Sequence, residues 1–313
     1  MDRSEASAEV LPAPDEAGTL PISVVIPAYN RADLLPRAIA SVRAQTARPA
    51  EIIVVDDHSD DDTGLVAERL GARVIRHERN RGHGAARNSG IEAASRVWVA
   101  LLDSDDEWTP DHLEHVYAMR DGHVLIGAAT LARGDAPRRN RIYGVPGPAS
   151  VLMSSPAHAA YPVNCVPPSS ALLRRETVLD AGGFDTSLKL CEDVDMWIRM
   201  LEHGSGVASP RIGSFYYVHG GQASSDGVAM HRAYRNVLAR YRGRAWWRPS
   251  LVRRYEGIIA WDAFRQGMAE HRLRAAGAAL MRIATHPDRL RGALEVLVWR
   301  SRTRRRSAEL QRS

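Results

Sequence analysis

Val99-Ala100-Leu101-Leu102-Asp103-Ser104-Asp105-Asp106-Glu107-Trp108 is the stretch from which the fold of this chain can be worked out. Four apolar residues run directly into a block of acids broken by one serine. An apolar run of this length, stopped by Asp and Ser and then by Thr109-Pro110, predicts a buried strand with an abrupt end. Asp103, Asp105 and Asp106 are then delivered together at the C-terminal edge of a sheet, where open α/β sheets bind ligands. Carboxylates held so close repel one another. A divalent cation would relieve that, since hard cations favour carboxylate oxygens; so would a solvated acidic turn capping a helix that starts near Pro110.

The flanking sequence repeats the pattern. Ile22-Ser23-Val24-Val25-Ile26 predicts a first strand cut off by Pro27, and Leu34, Leu35, Ala38, Ile39 and Val42 give a helical spacing over Asp33 to Gln45. Glu51 to Val55 predicts a second strand, Thr63 to Leu70 a short helix, Arg73 to Ile75 a third strand, Gly84 to Ser95 a helix and Arg96 to Leu102 the fourth strand. Strand and helix alternate, and the strands are continuously apolar, which implies a mostly parallel sheet covered on both faces. Beyond Leu125 the regularity loosens, and Arg133 to Pro168 predicts long loops around short pieces. Ser170 to Leu173 predicts a strand, Arg175 to Ala181 a helix stopped at Gly182-Gly183, Asp193 to Glu202 a helix and Ile212 to Val218 a strand. From Arg232 the pattern is helical, interrupted at Pro249 and Pro287.

Composition narrows the class. With 313 residues, 44% hydrophobic and 25% charged, the chain has the make-up of a globular protein of one or two domains. Two cysteines, Cys165 and Cys191, support neither a disulfide framework nor a zinc cluster and fit a reducing compartment. No apolar run approaches the roughly 20 residues that span a bilayer. Met1 to Gly18, rich in Ala, Glu, Asp and Pro, has no apolar signal core and reads as a flexible tail over residues 1–20. The net charge of +5 is unevenly placed: Arg244 to Ser313 holds 16 Arg and no Lys against 6 acidic residues. That asymmetry suggests an anionic partner surface for the C-terminus. Nucleic acid is not expected, because no recognition motif is present and the body is acidic.

Further candidates fall at strand ends. After the first strand, Tyr29 could stack on a base while Asn30 and Arg31 meet polar groups of a nucleotide; a turn with a helix cap would use the same residues. Asp56-Asp57 after the second strand could accept from ribose hydroxyls or a base imide, or cap the next helix. In Arg79-Asn80-Arg81-Gly82-His83-Gly84-Ala85-Ala86-Arg87-Asn88-Ser89-Gly90, glycine lets backbone amides approach an anion at a helix start. This loop does not follow the first strand and lacks the Gly-x-Gly-x-x-Gly spacing, which argues against a NAD or FAD enzyme. Glu192-Asp193 supplies an acidic first turn to its helix, and Cys191 beside it reads as packing.

Together these motifs resemble the family 2 glycosyltransferases with the GT-A fold. The matching residues are Val-Val-Ile-Pro-Ala-Tyr-Asn at 24–30, Ile-Val-Val-Asp-Asp at 53–57, Asn80-x-Gly82 with Ala86-Arg87-Asn88-x-Gly90, and Leu102-Asp103-Ser104-Asp105-Asp106-x-Trp108. Gly183-Phe184-Asp185 and Glu192-Asp193-x-Asp195-x-Trp197 complete the set, which runs from about Ile22 to about Ser225. The resemblance implies a GT-A domain over 21–231, a mixed, mostly parallel α/β sheet flanked by helices. It divides into a nucleotide-sugar half (21–123) and an acceptor half (124–231), followed by a basic helical extension over 232–313.

The resemblance also implies an inverting transfer of a sugar, from a UDP-sugar by default, to a hydroxyl of a glycan or lipid-linked acceptor. It places Pro27, Tyr29, Asn30, Arg31, Gly84 and Ser104 around the nucleotide-sugar, Asp57 on the base with Asp56 beside it, Arg87 near the nucleotide and Asp103 near the ribose or donor sugar. Asp105 would hold Mn2+ or Mg2+, and His219, in a late His-x-x-x-x-Ser element ending at Ser224, is a second metal candidate. His83 in the glycine loop is a further one, and Asp106 is either a ligand or a cap. Asp193 would be the general base, with Glu192 as the other candidate. A non-catalytic nucleotide-sugar-binding or scaffold protein would share the fold. A nucleotidyltransferase would place a glycine-rich loop with a Lys after the first strand, whereas the sole Lys is Lys189.

The expected location is cytoplasmic, peripheral at the inner face of a membrane. Trp246, Trp247, Trp261, Trp299 and Arg302 to Arg306 suit an anionic interface, and Leu290, Leu294, Leu297 and Val298 give the last helix an apolar face. A helical cap packed on the catalytic domain would use the same residues.

Overall fold

The continuous apolar runs fold as strands buried on both faces, with successive side chains sent to opposite layers. A computed structural model describes residues 18–134, 141–145, 147–159, 166–218 and 227–310. His219, Ser224, Cys165 and the tail before residue 18 lie outside them.

The first half reads β1 (Thr19–Ala28), α1 (Leu35–Arg43), β2 (Arg48–Asp56), α2 (Thr63–Arg69), β3 (Arg73–Arg76), α3 (His83–Ala93) and β4 (Trp98–Leu101). Then come β5 (Glu107–Trp108), α4 (His112–Ala118), β6 (His123–Gly134), β7 (Ile142–Tyr143), β8 (Val151–Met153) and α5 (Pro156–Ala159). A single 3-10 turn, Pro168–Ser170, leads into β9 (Ala171–Arg174), α6 (Arg175–Asp180), α7 (Glu192–His203) and β10 (Ser205–Val218). Four helices follow: α8 (Gly227–Arg240), α9 (Pro249–Ala269), α10 (Leu273–Ala284) and α11 (Pro287–Leu310).

The strands form one mixed sheet in the order β3-β2-β1-β4-β9-β6-β10-β5, with β7 on β6 and β8 on β10. Strands β1 to β4 are parallel to one another. β1 lies between β2 and β4, so the crossover connections diverge at its C-terminal end, the crevice where open sheets bind ligands. β9 enters antiparallel to both β4 and β6.

Period two divides the core. Val25, Ile53, Val55, Val99 and Leu101 face one layer with Ile91 of α3 and Trp197 of α7. Ile22, Val24, Ile26, Val54, Ala100 and Leu102 face the other with Leu35 and Ile39 of α1 and Leu113 of α4. α3 lies so close to the sheet that a Cβ on Gly90 would stand 2.4 Å from Val25 Cγ1. That closeness brings the loop before α3 over the ends of β1 and β2.

The stretch predicted as loosening after Leu125 is instead the twelve-residue central strand β6. Its Gly127 is pressed against Val166, where a Cβ would meet Cγ1 at 2.7 Å. The C-terminal helices share the main core: Tyr234, Val237, Leu238 and Tyr241 of α8, Tyr255 and Ile258 of α9 and Val296 of α11 join the α7 layer. A boundary at 231/232 therefore falls inside a helix that is anchored in the catalytic body. α9 and α11 cross at two glycines, where a Cβ on Gly257 would meet Arg289 O and one on Gly292 would meet Arg254 O, both at 2.0 Å.

Candidate active site

Three loops meet at the C-terminal end of β1, and each is fastened by its own polar residues. Asp57 N donates to Ala28 O (2.8 Å). Asn30, at φ 51, donates its N–H to Ser59 Oγ (2.9 Å) and accepts Asp60 N through Oδ1 (2.8 Å). Arg31 N donates to Thr63 Oγ1 (2.7 Å). Asn30 is thus a staple between the first two strand-end loops, while Tyr29 beside it stays exposed. Asn30 and Arg31 also line a cleft of about 490 Å³ with Arg37, Asp61 and Tyr217.

The two acids after β2 have separate tasks. Asp56 is fully buried and accepts Arg76 Nη1 (2.8 Å) and Ser59 N (2.9 Å). Asp57 accepts Arg81 N (2.9 Å) and Gly82 N (2.7 Å) and pairs with His77 Nδ1 (2.6 Å). Its carboxylate therefore ties the glycine loop to the end of β2. The conformational demand in that loop falls on Gly82, at φ +86, rather than on Gly84.

The acid block after β4 is sorted by burial. Asp106 is buried, accepts Ser169 Oγ (2.5 Å) and Tyr217 N (3.2 Å), and joins the block to β10 and the 3-10 turn. Burial, with Asp103 and Asp105 beside it, pushes its carboxyl well above the usual range. These bonds make Asp106 a strut; the cap position of α4 belongs to Asp111. Ser104 is buried next to it. Asp103 and Asp105 keep part of their carboxylates at the surface. Arg31 Nε stands 4.0 Å from Asp105 Oδ2, and Arg37 Nη2 donates to Asp105 O (2.6 Å).

Arg87 joins this block to α7. Its guanidinium is buried, donating through Nη2 to Asp103 Oδ1 (2.8 Å) and through Nη1 to Glu192 Oε1 (2.7 Å). His83 Nε2 lies 2.8 Å from the same Glu192 oxygen. Burial alone would raise Glu192, but the His83 hydrogen bond and the Arg87 charge overcome it and hold the carboxyl at about 2. Asp193, one residue on, goes the other way. Burial and the neighbouring Glu192 charge raise it to about 7, against smaller opposing effects of backbone amides and Arg87. Of the two acids, Asp193 has the pKa of a proton acceptor near neutrality, whereas Glu192 is a fixed anion. Cys191 before them adopts φ 61 at the start of α7, and burial pushes its thiol up, away from nucleophilic chemistry.

Pro27, Asp57, Arg87, Asp103, Asp105, Glu192 and Asp193 thus come from five segments to one sheet edge. His77 and Ser169 were missed by sequence reasoning. His77 directly follows β3, and the reading of that strand end began two residues later, at Arg79. Ser169 had no local signal, because its meaning lies in the distant Asp106.

Two hard carboxylates, Asp103 and Asp105, suit a cation that takes its remaining ligands from substrate phosphates, the usual arrangement for Mg2+. Among the described residues no cluster of three metal-ligating side chains forms. The donor set fits an ion shared with a diphosphate better than a closed protein cage.

A mostly parallel sheet with acids beyond its switch point is the arrangement of an α/β protein that binds its ligand at the C-terminal ends of the strands. Residues 23–178 match the model for glycosyl transferase family 2, and the chain belongs to that family. Among curated relatives, it is 44% identical over 103 residues to the succinoglycan biosynthesis protein ExoO of Rhizobium meliloti, covering 32% of this chain and 30% of that one. It is 31% identical over 198 residues to a pre-mycofactocin glycosyltransferase of Mycobacterium tuberculosis, covering 59% and 40%. The chain therefore spans well under half of either relative. Among solved structures, the mannosyltransferase PcManGT of Pyrobaculum calidifontis, in complex with GDP-Man and Mn2+, superposes with a TM-score of 0.60 at 16% identity, covering 92% of this chain and 86% of that one. S. aureus TarS 1-349 in complex with UDP-GlcNAc gives 0.58 at 20%, covering 75% and 70%. The fold is GT-A, as the motifs led one to expect.

Proposed function

We propose that this protein is an inverting glycosyltransferase that moves a sugar from a nucleotide-sugar, a UDP-sugar by default, to a hydroxyl of a glycan or lipid-linked acceptor. The observation that carries this reading is the buried Arg87 bridge, which holds the Glu192-Asp193 turn against the Asp103–Asp105 block. A base near neutrality and a diphosphate-binding edge are thereby fixed in one rigid unit.

In this reaction Asp193 takes the acceptor hydroxyl proton. The acceptor oxygen bonds to the anomeric carbon as the bond from that carbon to the phosphate oxygen breaks, and the nucleoside diphosphate leaves from the opposite face. Asp105, with Asp103, would hold Mn2+ or Mg2+, which when bound offsets the charge of the leaving diphosphate. Arg31 and Arg37 add positive charge along the same cleft, and Tyr29 offers a face to the base. The complexes of TarS with UDP-GlcNAc and of PcManGT with GDP-Man and Mn2+ support a nucleotide-sugar and a divalent ion here. The succinoglycan relative supports a polysaccharide acceptor. We place the reaction at the cytoplasmic face of a membrane, with the basic C-terminus in contact with anionic lipid.

A screen of nucleotide-sugars by thermal shift, with and without Mn2+, followed by turnover with the binder, tests this. One nucleotide-sugar should stabilise the protein in a Mn2+-dependent way, and Asp105→Ala should abolish both the Mn2+ effect and turnover. Full activity in that variant would overturn the metal assignment. Mn2+-dependent binding without turnover on any acceptor would leave a binding protein instead.

A further inference from the structure

The tryptophans that made the C-terminus look interfacial, and some of its arginines, are used inside the molecule. Trp299 is buried and donates to Gly144 O (3.4 Å), Trp247 donates to Leu238 O (3.0 Å) and Trp246 to Glu202 Oε1 (3.1 Å). Arg300 clamps Asp262 (2.5 and 2.9 Å), and Arg306 donates to Val145 O and Pro210 O. These side chains hold the helices to the body.

The surface left to explain is the apolar face expected on the last helix, extended by a second stripe on α10. Of thirteen large apolar side chains exposed among the described residues, eight fall between Met268 and Val298. On α10 they are Leu273, Leu280 and Met281; on α11 they are Leu290, Leu294, Leu297 and Val298, all between 40% and 66% exposed. Each helix already has an inward stripe: Ala276, Ala279 and Ile283 on α10, and Ala293, Val296 and Trp299 on α11. The exposed set is thus a second stripe. At 3.6 residues per turn, the spacings 273/280/281 and 290/294/297/298 each fall within an arc of about 100°. Arg304 and Arg305 continue the α11 arc two turns on, with Arg302 at its edge.

The charge around the stripes is one-sided. α10 contains Arg274 and Arg282 and no acid. Of the three acids in α11, Asp288 pairs with Arg253 (2.8 Å) and Glu295 with Arg291 (2.9 Å); the side chain of Glu309 lies outside the described residues. No described side chain makes an ion pair with Arg274, Arg282, Arg302, Arg304 or Arg305. An apolar stripe flanked by exposed guanidiniums that no described acid pairs matches one partner chemistry: hydrocarbon beneath a layer of phosphate. Leu and Met enter the acyl boundary while the arginine stems lie along it and their heads reach the phosphates. A second copy packed on the same face would bring like charges together across a two-fold contact.

We propose that the outward stripes of α10 and α11 form the surface that docks this protein on an anionic bilayer. This rests on the membrane-side reading above and assigns it to a defined face, away from the tryptophans. The full-length chain is mixed with vesicles of phosphatidylglycerol or of phosphatidylcholine, and bound protein is measured by flotation. It should partition to phosphatidylglycerol and only weakly to phosphatidylcholine. Arg304→Ala/Arg305→Ala should weaken binding about thirtyfold at low salt, and Leu294→Glu/Leu297→Glu at least about tenfold. Both variants sit on exposed positions and should keep the wild-type melting temperature and nucleotide-sugar turnover in solution. Wild-type protein that ignores phosphatidylglycerol, or a Leu294→Glu/Leu297→Glu variant that binds like wild type, overturns the proposal. So does a wild-type dimer in sedimentation that this variant dissolves, which would assign the face to a second copy. Vesicle binding needs no catalysis, so absent turnover would strike the glycosyltransferase reading and leave this one standing.

Discussion

Asp193→Asn removes a carboxylate whose ionised form the folded protein disfavours, so its effects on stability and on activity should run in opposite directions. In the native state the group sits at about 7 rather than 3.8, a rise of about three units. At 1.36 kcal/mol per unit, that corresponds to about 4 kcal/mol against the charged form. Part of the side chain still reaches solvent, so we halve the bound and expect about 2 kcal/mol. The sign follows from proton binding: between pH 4 and 7 the folded state holds a proton that the unfolded chain has released, so this group lowers stability as pH rises through that window. The cost is absent below about pH 4 and complete above about pH 7. Asn carries no such cost, so the variant should gain on wild type as pH rises, with a surplus near 2 kcal/mol at pH 8.5 in urea denaturation. Transfer should fall about 10²- to 10⁴-fold with donor affinity kept. Glu192→Gln, which removes the neighbouring anion, should move the acidic limb of the wild-type pH–rate profile below 7. A stability gap that is flat with pH, or a limb that stays in place, would refute the assignment of Asp193 as a base tuned by Glu192.

Asp57→Ala should leave His77 and the amides of Arg81 and Gly82 without their shared acceptor. A loss of about 2–4 kcal/mol, faster hydrogen exchange over residues 79–84 and weaker donor binding are expected; unchanged exchange would show that the loop is held by other means. Gly90→Ala improves helix propensity by up to about 1 kcal/mol yet drives a methyl into Val25, so a net loss of about 1–3 kcal/mol is expected by thermal melting. A variant as stable as wild type would mean that α3 can retreat from the sheet.

The parallel half of the fold was legible because its strands are buried on both faces and its turns are marked by acids and prolines. β1 to β4 and the helices between them lie within a few residues of the sequence-based limits. β6 escaped because Gly127, Ala128 and Ala129 dilute its apolar signal, and at Gly127 the close approach of Val166 leaves no room for a side chain. The strand-end acids were all visible as candidates, but not their division of labour. Asp56, Asp57, Asp105 and Asp106 look alike in sequence, and only their partners show that Asp56 and Asp106 are buried struts while Asp57 ties down the glycine loop. Likewise, Glu192 and Asp193 are interchangeable as letters. Arg87 and His83, about a hundred positions upstream, fix the first as an anion, while burial beside that charge raises the second to about 7.

The Arg87 bridge carries a consequence for how the protein is made. Arg87 enters the growing chain 105 residues before Glu192, and the family-matched span ends at residue 178, before α7 begins. A nascent chain halted there would already contain every strand-end loop of the donor half, yet would hold a guanidinium in its interior with half its counter-charge missing. The donor half should therefore stay loose on the ribosome until α7 emerges and docks. On the proposed function, competence to grip a nucleotide-sugar and the arrival of the base that uses it would be a single event, so a half-synthesised enzyme would not sequester substrate that it had no means to turn over.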